Sequence, residues 1–175
     1  MTETIQLPRF EEAVLPHLDA AYNLARWLTG DDHDAEDVVQ EAYFRAFKFF
    51  HGFRGGDGRA WVLTVVRHTC YTWMQRHRTR EPVASFDEEL HGGANDDMNP
   101  ERILLQRADN QMLHAAIEAL PLEFREVLVL REMEGLSYQE IAALIEIPIG
   151  TVMSRLSRAR KQLQQRLAPC MGKEE

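Results

Sequence analysis

Residues 81–100 run Glu81-Pro-Val-Ala-Ser-Phe-Asp-Glu-Glu-Leu-His-Gly-Gly-Ala-Asn-Asp-Asp-Met-Asn-Pro100, with two prolines, a Gly-Gly pair and no helical stripe. Such a stretch offers too little apolar surface to pack and reads as a flexible acidic linker. It cuts the 175-residue chain into an N-terminal part, 8–80, and a C-terminal part, 100–169, with the linker at 81–99. Each part is short enough that only a few elements can close its core. Apolar residues recur at helical spacing in both, and no convincing strand is found. The expected fold is all-α: two small helical domains joined by the linker.

Three helices are expected in the first part. Val14, Leu15, Leu18, Ala21, Tyr22, Ala25 and Leu28 form the stripe of one, which Gly30 ends. Asp31 or Asp32 can cap the second, whose inner face is Ala35, Val38, Val39, Ala42 and Ala46. The third starts at Asp57, runs to about Arg78, and has Val62, Val66, Thr69, Cys70 and Trp73 as its core stripe.

The second part opens on Asn99-Pro100-Glu101, an N-cap with proline in the first turn. Ile103, Leu104, Met112, Leu113, Ala116, Ile117 and Leu120 give this helix an apolar side, and Pro121 breaks it. Phe124, Val127, Leu128 and Leu130 mark a helix ending near Gly135. Ser137 and Glu140 then form a capping box, with Leu136 and Ile141 as its hydrophobic staple. A short helix to Ile145, a turn at Glu146–Pro148 and a long helix from Ile149 to about Leu167 complete the chain.

Charge is distributed in blocks. The net charge of −8 argues against a nucleic-acid binder, but residues 51–80 hold six Arg against the single Asp57. Residues 81–101 hold seven acidic side chains and no base, and residues 151–175 hold six bases against two acids. Two basic blocks on an acidic chain suit two local phosphate-binding surfaces, although solvated faces have the same composition. Cys70 and Cys170 sit in no metal-ligand spacing and are expected to be reduced thiols. Residues 1–10 lack a signal peptide's basic and apolar sections, and no apolar run suits a membrane helix, so a cytoplasmic protein is expected. No Walker loop, HExxH motif or Cys/His cluster is found, so neither a catalytic site nor a cofactor or metal is expected.

Three surfaces carry the functional reading. Capped helix, turn and basic helix over 137–167 have the form of a helix-turn-helix. On the last helix Val152, Leu156, Ala159 and Leu163 share one side, while Ser154, Ser157, Arg158, Lys161 and Gln165 share the other with Arg155 at the edge. Arg can fork onto guanine, Ser and Lys can reach bases or phosphates, and Thr151 with the free amides around it could hold a phosphate. A merely basic surface helix is the plain alternative. The third helix of the first part collects Thr64, Arg67, His68, Tyr71, Gln75 and Arg78 on one face, suited to phosphates and stacked bases. The loop before it sets Phe49, Phe50, His51, Phe53 and Arg54 among glycines and could receive an unstacked base, or simply be core. Asp37, Gln40, Glu41, Phe44 and Arg45 place an aromatic ring among charges on the second helix: a protein interface, or a Phe44 turned inward.

Together these segments resemble the extracytoplasmic function (ECF) sigma factors. Asp34–Phe47 resembles their polymerase-binding helix, and Phe53–Leu63 the start of their −10 recognition helix. Ala119–Arg131 and Gly150–Arg160 resemble their −35 domain. The resemblance implies that Asp37, Gln40, Glu41, Phe44 and Arg45 grip the β′ clamp helices of core RNA polymerase. It implies that the loop 49–56 traps a flipped −10 base, with Arg59, Arg67, His68 and Tyr71 holding the separated strand. Thr151, Ser154, Arg155, Ser157, Arg158 and Lys161 would meet the −35 element of promoter DNA, and the second domain would dock on the β flap. Phosphodiester chemistry would remain with the polymerase, and an anti-sigma factor would hold the protein inactive.

Two positions depart from the pattern: Met153 stands where a basic residue is common, and His68 replaces a usual Asn. No further domain is expected after Leu167. A free-standing helix-turn-helix regulator is the alternative, and would bind duplex DNA without polymerase. A sigma mimic that sequesters an anti-sigma factor would need no DNA-reading arginines.

Overall fold

A computed structural model describes residues 2–77 and 100–172. Among these residues all regular structure is helical. The acidic linker 81–99, the Asn99 cap and Arg78 lie outside the described residues.

The chain opens with a helix absent from the sequence reading, α1 (Thr2–Ala13), whose end carries the buried Phe10 into Val14. The single first helix expected from Val14 onward is instead broken. Pro16 lies within a 3₁₀ turn, Leu15–His17, and α2 follows at Leu18–Thr29. Proline cannot donate into an α-helical ladder, so the turn re-aims the chain and leaves Leu15 and Leu18 exposed.

Gly30 ends α2 in the left-handed conformation, φ 79°. Asp31, not Asp32, caps α3 (Asp32–Lys48), accepting the Asp34 N–H at 3.0 Å. After a second 3₁₀ turn, Phe50–Gly52, Asp57 caps α4 (Gly58–Arg76). Helices α2, α3 and α4 enclose Leu24, Leu28, Val38, Val62, Leu63 and Val66, and Ala21, Ala25, Ala35, Ala42 and Ala46 are buried among them. Small side chains at these positions let the helix axes approach closely. Trp73 is only partly buried and stacks on His77, ring centroids 4.2 Å apart.

Gly58 is buried where the start of α4 meets the end of α1. A Cβ there would run into the carbonyl oxygen of Ala13, a backbone atom that cannot rotate away. Gly58→Ala is therefore expected to cost about 1–3 kcal/mol of stability. Thermal denaturation checks this, since an unchanged midpoint would mean that α1 does not pack there.

In the second half, α5 (Pro100–Glu118) buries Ala116 and Ile117, with the following Leu120, among its described side chains; the Ile103 side chain lies outside them. Leu104, Met112 and Leu113, expected on its buried side, are exposed. A 19-residue helix rises about 28 Å, and its buried residues lie near its C-terminal end, where it packs against the last helix of the chain. Helix α6 (Leu122–Leu128) runs into a π-helical turn, Val129–Met133, and every residue from Val127 to Leu130 is buried. The expected capping box opens α7 (Tyr138–Ile145), and α8 (Ile149–Met171) closes the described chain. The two halves pack directly against each other, α2 and α4 against α6 and α7.

Candidate nucleic-acid interface

The surface on α8 is built by the capping of the helix before it. The Glu140 N–H donates to Ser137 Oγ at 3.1 Å, and the Ser137 N–H donates to Glu140 Oε2 at 2.6 Å. Glu146 ends α7 at φ 57°, in the left-handed region where a side chain is unusual, and its N–H returns to the Ala142 carbonyl. The chain then turns through Pro148 into α8. Val152, Leu156 and Ala159 are buried and Leu163 packs against the core. Ser154, Ser157, Arg158, Lys161 and Gln165 are exposed on the opposite side, as the spacing predicts.

Two members of this set are less free. Thr151 is half-buried, and its carbonyl accepts from Ser154 Oγ at 3.1 Å. Arg155 is half-buried with Nη2 3.7 Å from Glu123 Oε2, a loose pair that a base or phosphate could displace. Arg160, by contrast, pairs with Glu132 of the π-helical turn at 2.6 Å.

The α4 face is more occupied than the sequence suggests. His68 and Gln75 are exposed and Thr64 is half-buried. The Arg67 guanidinium sits 4.5 Å from the centre of the Tyr71 ring and binds Glu126 of α6, to which Tyr71 Oη also donates at 3.1 Å. Arg59 donates to the Glu134 carbonyl and pairs with its Oε2 at 3.1 Å. These residues lie on one face, as read, but they meet the other half of the protein.

In the preceding loop, Phe49, His51 and Arg54 are exposed and Phe53 is half-buried. Phe50 corrects the reading of an open aromatic loop. It is buried, edge-on to Phe10 and stacked on Phe53 with centroids 5.3 Å apart in each case. Phe50 thus supports the loop from below instead of lining its open side. Gly55 and Gly56, at φ 87° and 93°, supply the turn into α4.

On α3, Phe44 is 70% exposed, so the ring is not turned inward. Asp37 and Gln40 are exposed beside it, and Glu41 and Arg45 form an i,i+4 pair at 2.5 Å. A bare phenyl ring ringed by charges has the composition of a protein-interface anchor.

Residues 13–80 match the Sigma-70 region 2 family and residues 110–163 match Sigma-70, region 4. The chain is 37% identical to the ECF RNA polymerase sigma factor SigE of Mycolicibacterium smegmatis over 162 residues, 93% of this chain and 63% of that protein. It is 34% identical to the ECF RNA polymerase sigma-E factor of Escherichia coli K12 over 143 residues, 78% of this chain and 75% of that one. The chain belongs to the ECF sigma factors.

Among solved structures, this ECF sigma factor superposes on the sigma factor RpoE of Bartonella quintana, solved in complex with the anti-sigma factor NepR. The TM-score is 0.73 at 27% identity, covering 91% of this chain and 97% of that one. The fold also matches CnrH, solved with the cytosolic domain of CnrY, with a TM-score of 0.60 at 24% identity. No helix among the described residues of this sigma factor is long and apolar enough to cross a membrane.

Sequence reasoning missed Glu126 and Glu134, which are 1% and 7% exposed. The signal for Glu126 was weak: it follows Arg125 in sequence, and only its place between Phe124 and Val127 hints at burial. A buried charge of this kind needs a partner, and Arg67 supplies it from 59 residues away.

The same contact raises two nearby acids. Burial, then the Glu126 charge, pushes the Cys70 thiol from 9.0 up to about 12, and the Tyr71 hydroxyl from 10.0 up to about 12. The folded groups hold protons that the unfolded chain releases. Their contribution is complete below pH 9.0 and is lost as pH rises toward about 12. The melting temperature is therefore expected to hold from pH 7 to 9 and fall beyond it. Cys70→Ala should remove the earliest part of that fall; an identical profile would place the pH sensitivity elsewhere.

Proposed function

We propose that this ECF sigma factor binds core RNA polymerase and directs it to promoters by recognising −10 and −35 elements. The observation that carries this is α8. Its buried Val152–Leu156–Ala159 stripe fixes the helix, and Arg158 and Lys161 stand free on the other side at the spacing of a major-groove reader. Ser154, Ser157 and Arg155 would join them on the −35 element, with Thr151 at the helix start. On the −10 side, Phe49, His51, Phe53 and Arg54 surround the loop that would take a flipped base, and Phe50 packs beneath it. Arg59, Arg67, His68 and Tyr71 of α4 would hold the separated strand.

Asp37, Gln40, Glu41, Phe44 and Arg45 would grip the β′ clamp helices, and the second domain would dock on the β flap. The division at 8–80 and 100–169 gives each element its own helical unit on a tether. Bond-making belongs to the polymerase, and this chain contributes binding and selection, in the cytoplasm where the polymerase works. Control by an anti-sigma factor is supported by the likeness to Bartonella RpoE, whose structure holds such a partner.

Run-off transcription from a genomic promoter library, with and without core polymerase, tests the reading. Specific transcripts are expected only when both proteins are present. Tight duplex binding by the chain alone, without transcripts, would favour a free-standing regulator. Arg158→Ala is expected to reduce −35-dependent transcription about tenfold, the size of one lost base contact, with core affinity unchanged. Equal loss on promoters with a scrambled −35 element would show that Arg158 is not reading sequence.

A further inference from the structure

Part of the α4 face that would hold the −10 strand, at Arg59, Arg67 and Tyr71, is met by carboxylates of this chain's own C-terminal half. Glu126 accepts from Arg67 Nε, from Arg67 Nη2 at 3.4 Å and from Tyr71 Oη at 3.1 Å. A second carboxylate repeats the arrangement 8 residues further on. Glu134 Oε1 accepts from Asn23 Nδ2 at 2.7 Å, and Glu134 Oε2 pairs with Arg59 at 3.1 Å. Arg125 closes a third point by donating to the Trp27 carbonyl at 2.9 Å, and Arg26 meets Glu118 at 3.2 Å.

A guanidinium beside a tyrosyl hydroxyl is a receptor for an oxyanion with two accepting oxygens. A carboxylate and a nucleic-acid phosphate both fit that description. We propose that Glu126 is an internal phosphate surrogate: it occupies Arg67 and Tyr71 in a closed form of the chain, and the −10 strand must displace it. This rests on the reading that α4 binds the separated strand.

The balance suits a reversible latch. Burying an ion pair costs nearly as much desolvation as the attraction returns, so opening re-solvates Glu126, Arg67 and Tyr71 at little net cost. Core polymerase, by holding the two halves on separate surfaces, would open the latch. The free chain would then bind the strand only as well as its open fraction allows.

Two variants test this, with fluorescence anisotropy on a labelled single strand from the −10 region of a promoter found by run-off transcription. Glu126→Gln keeps the shape of the side chain and removes its charge. If its helicity matches wild type, the free variant should bind the strand about tenfold more tightly, while its holoenzyme transcribes as wild type. Unchanged affinity in the folded variant overturns the latch.

The second variant joins Asn23→Cys to Met133→Cys in a Cys170→Ser background, at side chains 3.9 Å apart across the interface. The oxidised chain should bind the strand at least tenfold more weakly than the same chain reduced. Equal binding by the oxidised and the reduced chain overturns the closed form and decides the matter even if Glu126→Gln does not fold. Arg67→Ala in the holoenzyme separates the two ideas. If promoter opening survives that change, the strand-binding reading of α4 fails; if opening is lost but the two variants above behave as wild type, only the latch fails.

Discussion

Phe44→Ala is expected to weaken binding to core polymerase by about 2 kcal/mol or more, roughly thirtyfold in Kd, without lowering the melting temperature. The two halves of this expectation have one cause. At 70% exposure the ring touches little of its own protein, so truncating it opens no cavity. A ring left in water by the free chain gains its burial only in a complex, where a central aromatic anchor carries much of the affinity. Binding of labelled core polymerase and a thermal melt on the same preparation read both quantities. Unchanged core affinity would remove α3 from the interface, and a lowered melting temperature would mean that Phe44 packs internally.

Leu156→Ala is expected to act in the opposite way, costing about 2–5 kcal/mol of stability and abolishing −35-dependent transcription although the residue touches no DNA. Leu156 is 1% exposed on the inner side of α8, in the core shared with α6 and α7. Emptying that position leaves a cavity at the centre of the second half, whose total stability is of the same order as the loss. Arg158 and Lys161 are aimed only by this packing, so their readout fails with it. Denaturation and transcription from −35-dependent promoters check the two effects. Full activity with an unchanged melting point would mean that another stripe of α8 faces the core.

Much of the fold is legible because it is local. Asp57 and the Ser137–Glu140 box bond to amides two or three residues away, and a left-handed glycine closes α2. The stripes of α3, α4 and α8 follow from a period of 3.6 and are buried where that period places them. Misreadings arose where the local signal was absent or ambiguous. Helix α1 has too sparse an apolar pattern to announce itself, and Pro16 was passed over inside an otherwise regular stripe. The apolar side of α5 was legible, but not that the bundle stops short of Leu104 and Met112.

The sequence by itself determined helices α3, α4, α7 and α8, the caps at Asp57 and Ser137, and the outward place of Ser154, Ser157, Arg158 and Lys161 on α8, because neighbours three or four residues apart carry that information. Tertiary structure alone decided that Phe50 turns inward beneath its loop, that Phe44 turns outward, and that Glu126 reaches Arg67 and Tyr71 across 59 and 55 residues. The reason is distance along the chain. A phenylalanine fits a core or a partner equally well, and Glu126, with Arg125 beside it in sequence, gives no sign that its cation is Arg67. Only the packing of one half on the other chooses.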